Sequence, residues 1–173
     1  DKVDGYTKGT VVLATVFGDV HDIGKSLVNT ILTNNGYKVV DLGKQVPIGT
    51  ILEAAQEHDA TAIGLSALLV STSKQMPLCV QELDRRGHTF PVLIGGAAIN
   101  RRFGRRALFV DGERPYAPGV YYYKLTEQDA QITGLKKAGD YLLKVRVVND
   151  NESNPDGKTF KIDYAVLASG STK

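Results

Sequence analysis

The sequence predicts an α/β fold built on a parallel β-sheet, and three observations support this prediction. Short apolar runs rich in β-branched residues recur along the chain up to about residue 123. Segments whose apolar residues recur with helical periodicity lie between these runs. Glycine and proline separate the two kinds of segment. Apolar strands that alternate with amphipathic helices indicate a parallel sheet that is covered by helices on both faces.

The apolar runs predict five strands, at residues 10–16, 38–42, 62–65, 91–94 and 119–123. The segments between them predict helices at residues 23–35, 47–58, 74–86 and 99–108. In the first helix, one face carries the apolar residues Ile23, Leu27, Ile31 and Leu32. Five such units predict a flavodoxin-like (Rossmann-like) doubly wound sheet with the strand order 2-1-3-4-5. In this fold, ligands bind beyond the carboxyl ends of the strands.

Turn residues set the expected ends of the helices. Asn35-Gly36 stops the first helix. Pro47 is expected in the first turn of the second helix, where a missing N–H costs little. Gly87 ends the third helix, and Gly104 is expected to interrupt the fourth.

The pattern changes after residue 125. Residues 126–138 predict a short helix with Thr126 as its N-cap. Residues 141–148 and 159–167 alternate polar and apolar, and a loop rich in Asn and Asp joins them, which predicts a β-hairpin. We therefore divide the chain into one domain at residues 1–125 and an extension of unknown role at residues 126–173.

Composition excludes several classes of protein. A formal net charge of +2 does not indicate a nucleic-acid-binding protein. No stretch of about 20 apolar residues predicts a membrane span, and no signal peptide is visible. The single cysteine, Cys79, lies among apolar residues, so burial is expected, and the lack of an internal disulfide fits a reducing cytoplasm. The chain begins at Asp1 without methionine, which suggests a piece of a longer protein.

Three short motifs fall at the predicted carboxyl ends of strands one, three and four. They are Asp19-Val20-His21-Asp22-Ile23-Gly24, Ser66-Ala67-Leu68 and Gly95-Gly96. Each motif alone is common, and a lone histidine in a turn is usually structural, which is how we interpret His58 and His88. Because the fold prediction and the three motifs select the same edge of the sheet, a ligand site is expected there.

The order of these motifs resembles the D-x-H-x-x-G, S-x-L and G-G pattern of proteins that carry cobalamin with a histidine bound to cobalt. The surrounding segments GDVHDIGKS, VDLGKQVP, IGLSALL and VLIGGAAI are similar to the cobalamin module of cobalamin-dependent methionine synthase, over roughly residues 8–123. The resemblance implies that His21 is the lower cobalt ligand and that Asp19 hydrogen-bonds its other nitrogen. It further implies that the hydroxyl of Thr72 links Asp19 to solvent.

The resemblance also implies a slot for the displaced dimethylbenzimidazole base of the cofactor. Ser66 would hydrogen-bond in this slot, Leu68 would flank its entrance, and Gly24, Gly95 and Gly96 would leave room for the nucleotide tail. Val70 stands where methionine synthases often have threonine. The full expected set of cofactor-binding residues is Gly18, Asp19, Val20, His21, Asp22, Ile23, Gly24, Ser66, Leu68, Val70, Thr72, Gly95 and Gly96.

The function that the resemblance implies is that of a methylcobalamin-carrying module. Its expected partners are folate- and homocysteine-binding methyltransferase domains, and the helical cap of the family is not found in this chain. Corrinoid carriers of other methyltransferases, cobalamin photoreceptors and mutase subunits remain alternatives. A cofactor-free flavodoxin-like interaction domain is the alternative from another class.

Two further patterns are interpreted as having no bearing on catalysis. Gly18 to Ser26 resembles a phosphate-binding loop, but its glycines are too far apart and the insert carries two aspartates. Four arginines at positions 101, 102, 105 and 106 form a basic cluster, which we interpret as a solvated helix face, with a docking patch for a partner domain as the alternative.

Overall fold

The carboxyl ends of neighbouring parallel strands meet at one edge of the molecule. In this computed structural model the described residues are 7–125, 141–143, 145–148 and 165–167, with side chains described for residues 7–122. The first five strands are β1 (Thr10–Thr15), β2 (Lys38–Asp41), β3 (Ala62–Ser66), β4 (Val92–Gly95) and β5 (Val120–Leu125). They pair in parallel in the order β2-β1-β3-β4-β5, which confirms the predicted fold class. The register places Thr15 beside Ser66 and Ser66 beside Gly95.

Five helices connect the strands: α1 (Ile23–Asn34), α2 (Ile48–Glu57), α3 (Val70–Ser73), α4 (Gln75–Arg85) and α5 (Arg101–Leu108). The short helix α3 was not predicted, because four residues are too few to show a periodicity. Pro47 precedes α2 as its N-cap, with an extended backbone, rather than lying in the first turn. Within the described residues, no helix is both long and apolar enough to cross a bilayer.

The sheet buries apolar side chains on both faces. On one face, Val12, Ile63 and Ile94 pack with side chains of α2, α4 and α5, including the free thiol Cys79, which is buried as expected. On the other face, Val11, Leu13 and Leu93 pack with Val28, Ile31 and Leu32 of α1. Ile23 was expected on this inner face, but it is 85% exposed, because it opens α1 beyond the carboxyl edge of the sheet.

The residues described after β5 form three short strands: β6 (Tyr141–Leu143), β7 (Val145–Val148) and β8 (Ala165–Leu167). β6 pairs antiparallel with β8, in agreement with the expected hairpin-like extension. β7 pairs antiparallel with β5 and thereby adds a sixth strand to the main sheet, which the sequence pattern did not predict. The expected helix at residues 126–138 lies outside the described residues, and the division of the chain at residue 125 stays a prediction.

Gly104 does not interrupt α5, contrary to expectation. The helix is continuous, and Gly104 is buried where α5 approaches β5. An added Cβ would come within 3.2 Å of the Tyr122 Cβ and within 3.8 Å of the Ile94 Cδ1. The glycine therefore permits close packing of the helix on the sheet.

Replacing Gly104 with leucine should lower the free energy of unfolding by about 1–3 kcal/mol, because a large side chain has no space between α5 and the sheet. Urea unfolding measures the change. Gly49→Leu is the matched control, because an added Cβ at Gly49 in α2 meets no atom within 4 Å. Equal stability of the two variants would contradict the packing role of Gly104.

Candidate functional site

The loop after β1 carries a buried carboxylate at the carboxyl edge of the sheet. Asp19 has no exposed surface. Its Oδ1 accepts hydrogen bonds from the His21 backbone N–H at 3.0 Å and from His21 Nδ1 at 2.9 Å. Its Oδ2 accepts from the backbone N–H groups of Leu68 at 2.9 Å and Leu69 at 3.3 Å, and from the Thr72 hydroxyl at 2.6 Å. Both oxygens of this buried group are therefore well satisfied.

These contacts stabilise the ionised form of Asp19. Burial alone would raise the pKa of this carboxyl, because it removes the charge from water. The hydrogen bonds from Thr72, His21 and Leu68 outweigh that effect and hold the pKa well below its usual range. Asp19 is thus a carboxylate that only accepts hydrogen bonds.

The imidazole of His21 is held at one nitrogen. Because the Asp19 carboxylate can only accept, the Nδ1 atom at 2.9 Å must carry the proton that is shared with it. The Nε2 atom of this tautomer then has a lone pair, and it has no hydrogen-bond partner among the described residues. The side chain is 45% exposed. In its neutral form, His21 thus presents a fixed nitrogen with a lone pair that is able to bind a metal.

The short helix α3 supplies the hydroxyl of the site. Thr72 lies in its single turn, buried, and its Oγ1 also lies 3.0 Å from the Leu69 carbonyl oxygen. The turn between β3 and α3 brings the Leu68 and Leu69 N–H groups onto the same carboxylate oxygen as Thr72. The set His21–Asp19–Thr72, expected from the resemblance alone, is therefore contiguous in space.

A cavity of about 270 Å³ opens beside His21. Its walls come from all three motifs, and they consist of Val20, His21, Asp22, Ile23, Gly24, Ser66, Leu68, Gly96 and Ala97. This volume lies near the lower limit of about 300–1,000 Å³ for small-molecule sites. It suits one small group better than a whole large ligand.

Large apolar side chains are exposed around this cavity. Val20, Ile23 and Leu68 lie in its wall. Phe17 lies in the loop after β1, Leu69 in the turn after β3 and Val70 at the start of α3. We call these six residues the apolar rim. Ile23 is 85% exposed and Val70 is 73% exposed. Several exposed apolar side chains at one edge of a sheet are typical of a binding site.

The glycines of the motifs have different reasons to lack a side chain. An added Cβ on Gly24 would meet no atom within 4 Å, so this position is open space in the cavity wall. An added Cβ on Gly96, by contrast, would lie 2.0 Å from the Ala67 carbonyl oxygen, and the φ angle of Gly96 is +120°. Gly96 is thus required by the chain itself, not only by a ligand as the resemblance had implied.

The remaining expected residues lie behind or beside the cavity. Asp19 and Thr72 support His21 from behind, and a Cβ on Gly18 would touch the Thr72 methyl group at 3.6 Å. Gly95 is buried at the end of β4, where its carbonyl accepts from the Ala67 N–H at 3.1 Å. Val70 lies outside the cavity and lines a neighbouring groove of about 500 Å³ between α4 and α5.

Some residues of the site carry no signal in the sequence. Ala97 lines the cavity but looks like any small residue after a glycine pair. Thr15 donates its hydroxyl to the His21 carbonyl oxygen at 2.9 Å, yet it reads as an ordinary β-branched strand residue. Lys25 is buried and forms an ion pair with Asp41, although a lysine in an amphipathic helix is normally expected in water.

Comparison with known families gives one match to a family model. Residues 9–117 match the family described as B12 binding domain. The chain is 49% identical to the methionine synthase of Mycobacterium tuberculosis over 122 residues, which is 68% of this chain and 10% of that protein. It is 50% identical to the methionine synthase of Mycobacterium leprae over 121 residues, with the same coverage. The chain thus spans about a tenth of the length of these curated relatives.

Solved structures with related sequences share the fold. A cobalamin-binding protein from Desulfitobacterium hafniense is 36% identical with a TM-score of 0.55, covering 57% of this chain and 49% of that one. The methanol:cobalamin methyltransferase complex of Methanosarcina barkeri contains a chain that is 38% identical with a TM-score of 0.58, covering 61% of this chain and 41% of that one. The monomethylamine corrinoid protein of the same organism is 28% identical with a TM-score of 0.51, covering 54% of this chain and 46% of that one.

Replacing Asp19 with asparagine should lower the free energy of unfolding by about 1–3 kcal/mol, because an amide offers one acceptor oxygen where five donors converge. Chemical unfolding of the chain without ligand measures the loss. Asp22→Asn is the matched control, because Asp22 lies in the same loop but forms only a partly exposed ion pair with Lys44 at 3.6 Å. If both variants lost the same stability, Asp19 would not have the organising role described above.

Proposed function

The chain belongs to the B12-binding domain family, and we propose that it holds cobalamin with His21 as the lower ligand of cobalt and carries a methyl group between partner methyltransferase domains. Cobalamin as the cofactor and the resemblance to methionine synthase are both supported by the comparisons. The observation that carries the finer proposal is the His21 imidazole, which is fixed at Nδ1 and half-exposed at the mouth of an apolar cavity.

The residues present fit this cofactor. His21 would hold the cobalt through one nitrogen donor, Nε2, because Nδ1 is already bound to Asp19. The apolar rim offers surface against which a large ring can pack, and Gly24 leaves open space in the cavity wall. The cavity suits the displaced base of the cofactor, which is flat, and the buried Ser66 in its wall offers a hydroxyl to that base.

Cobalamin, when bound, supplies a cobalt that accepts and releases methyl groups. The chain itself binds and orients the cofactor and holds a proton near it. Nδ1–H of His21 donates to Asp19, which would make the imidazole a stronger ligand through its Nε2 atom. The Asp19 carboxylate, which also accepts from the Thr72 hydroxyl, would hold the proton that it shares with Nδ1 of His21.

The partners belong to the proposal as well. We expect a folate-binding domain as methyl donor and a homocysteine-binding domain as acceptor, because the curated relatives are methionine synthases. The structural relatives include a chain of a methanol:cobalamin methyltransferase complex and a monomethylamine corrinoid protein, so a carrier for another methyltransferase is the second candidate. Adding each type of partner to the loaded chain and measuring methyl transfer would separate these two candidates. A cytoplasmic location is part of the same proposal.

Replacing His21 with glycine should abolish the absorption features of histidine-ligated cobalt while cobalamin still binds. The measurement is the absorption spectrum after incubation with hydroxocobalamin and removal of excess cofactor. His58→Gly is the matched control, because His58 caps the end of α2 and has no contact with the site. A His21→Gly spectrum that matches wild type would overturn the assignment of the lower ligand.

Replacing Gly24 with leucine should weaken cobalamin binding about tenfold or more without loss of stability, because an added Cβ meets no atom within 4 Å and the longer side chain would occupy the cavity. Gly49→Leu is the matched control, since Gly49 also follows an isoleucine at the start of a helix and also has open space around it. Titration with cobalamin, and with cobinamide, which lacks the base, measures the effect. Equal weakening for both corrinoids, or none, would contradict a slot for the base.

A further inference from the structure

His21 is held by a second side chain besides Asp19. The hydroxyl of Thr15, at the end of β1, donates to the His21 carbonyl oxygen at 2.9 Å, and Thr15 is fully buried. Asp19 already accepts from the backbone N–H of the same residue at 3.0 Å. Both polar backbone groups of His21 are therefore fixed by side chains rather than by secondary structure.

Thr15 is in turn held by the loop that follows β2. Its backbone N–H donates to the Gly43 carbonyl oxygen at 3.0 Å, and its own carbonyl accepts from the Val46 N–H at 3.0 Å. The Gly43 N–H donates to Oδ1 of Asp41 at 2.9 Å. A continuous path of hydrogen bonds thus joins Asp41 to the His21 peptide through Gly43 and Thr15.

A buried ion pair lies at the far end of this path. Lys25 pairs with Asp41, and the lysine side chain is only 4% exposed. Asp41 also accepts from the Asn29 side-chain amide at 3.2 Å. Burial raises the pKa of the Asp41 carboxyl, but hydrogen bonds from Lys25, Gly43 and Asn29 and the charge of Lys25 lower it overall. A charged lysine tolerates such burial only when it is paired.

The ion pair joins two segments that flank the His21 loop. Lys25 lies in the first turn of α1, which begins two residues after His21. Asp41 lies at the end of β2, the strand next to β1. The pair therefore fixes where α1 starts relative to the sheet, while Thr15 fixes the peptide of His21 itself.

We propose that Thr15 and the Lys25–Asp41 ion pair are positioning residues that set the orientation of His21 toward cobalt. This inference rests on the function proposed above, in which His21 is the lower ligand. It adds a second set of supporting contacts, independent of Asp19 and Thr72, that reaches His21 through its backbone. Asp19 thus holds the His21 ring at Nδ1. Thr15 holds the backbone carbonyl of the same residue.

Thr15→Val is the sharpest test, because valine keeps the volume and removes the hydroxyl. In chain loaded with hydroxocobalamin, the ratio of histidine-ligated to unligated cofactor, measured from the absorption spectrum, should fall about tenfold, in line with other groups that orient metal ligands. Thr15→Ser, which restores the hydroxyl, should return the ratio to near the wild-type value. Thr61→Val is the matched control, because the Thr61 hydroxyl contacts β1 at its other end, accepting from the Thr10 N–H at 3.1 Å.

Lys25→Met tests the ion pair, because methionine keeps the apolar stem and removes the charge. The same spectral ratio should fall in this variant. Asp84→Asn is its control, since it removes the ion pair with Arg114, which lies on the surface and far from His21 in the sequence. If Thr15→Val does not fold, the spectral ratio and the hydrogen exchange of the His21 backbone amide in Lys25→Met test the proposal instead.

A second readout needs no cofactor. In the chain without cobalamin, hydrogen exchange of the His21 backbone amide should be about tenfold faster in Thr15→Val than in wild type, and unchanged in Thr61→Val, because local opening sets the rate. Unchanged exchange and an unchanged spectral ratio would overturn the positioning role. A wild-type chain that binds cobalamin without histidine ligation would instead refute the function proposed above, and amide exchange would still decide whether Thr15 holds His21.

Discussion

The burial of the Asp19 carboxylate is the constraint on which the carboxyl edge of this molecule depends. A charge removed from water is tolerated only when its oxygens receive hydrogen bonds, and here the donors are His21, Leu68, Leu69 and Thr72. These donors come from the loop after β1, from the turn after β3 and from α3. One buried group thus brings three stretches of chain to a single point. The orientation of the His21 ring follows from that arrangement.

Most of the fold could be predicted from local patterns. The parallel sheet and its order follow from apolar strands that alternate with amphipathic helices, and the boundaries agree to within a residue or two for the five strands up to residue 125. The predictions were wrong or incomplete where tertiary contacts determine the local structure. Gly104 reads as a helix breaker, but its lack of a side chain lets α5 pack against Tyr122. The pairing of β7 with β5 joins strands that are distant in sequence, and alternation of polar and apolar residues cannot specify a partner.

The candidate site was predictable to a smaller extent. The spacing of Asp19 and His21 and the order of the three motifs suggested which residues meet, and eight of the expected residues line one cavity: Val20, His21, Asp22, Ile23, Gly24, Ser66, Leu68 and Gly96. Thr15 and Lys25 could not be predicted as supporting residues, because threonine is common in strands and lysine is common in helices. Their connection to His21 depends on the pairing of β1 with β2 and on the burial of Lys25 beside Asp41. Whether the expected residues contact cobalamin stays a prediction.

The apolar rim has an inner part that lines the cavity and an outer part that does not. Val20, Ile23 and Leu68 line the cavity, so a cofactor bound above His21 would cover them. Phe17, Leu69 and Val70 lie outside that cavity but remain exposed at the same edge. Any part of this surface that a bound cofactor left uncovered would be costly for a chain that acts alone. A carrier, however, must expose its methyl group to one partner domain and then to another, and each partner has to dock at this edge. Under the proposed function, therefore, we expect the partner domains to cover in turn whatever part of the outer rim the cofactor leaves exposed.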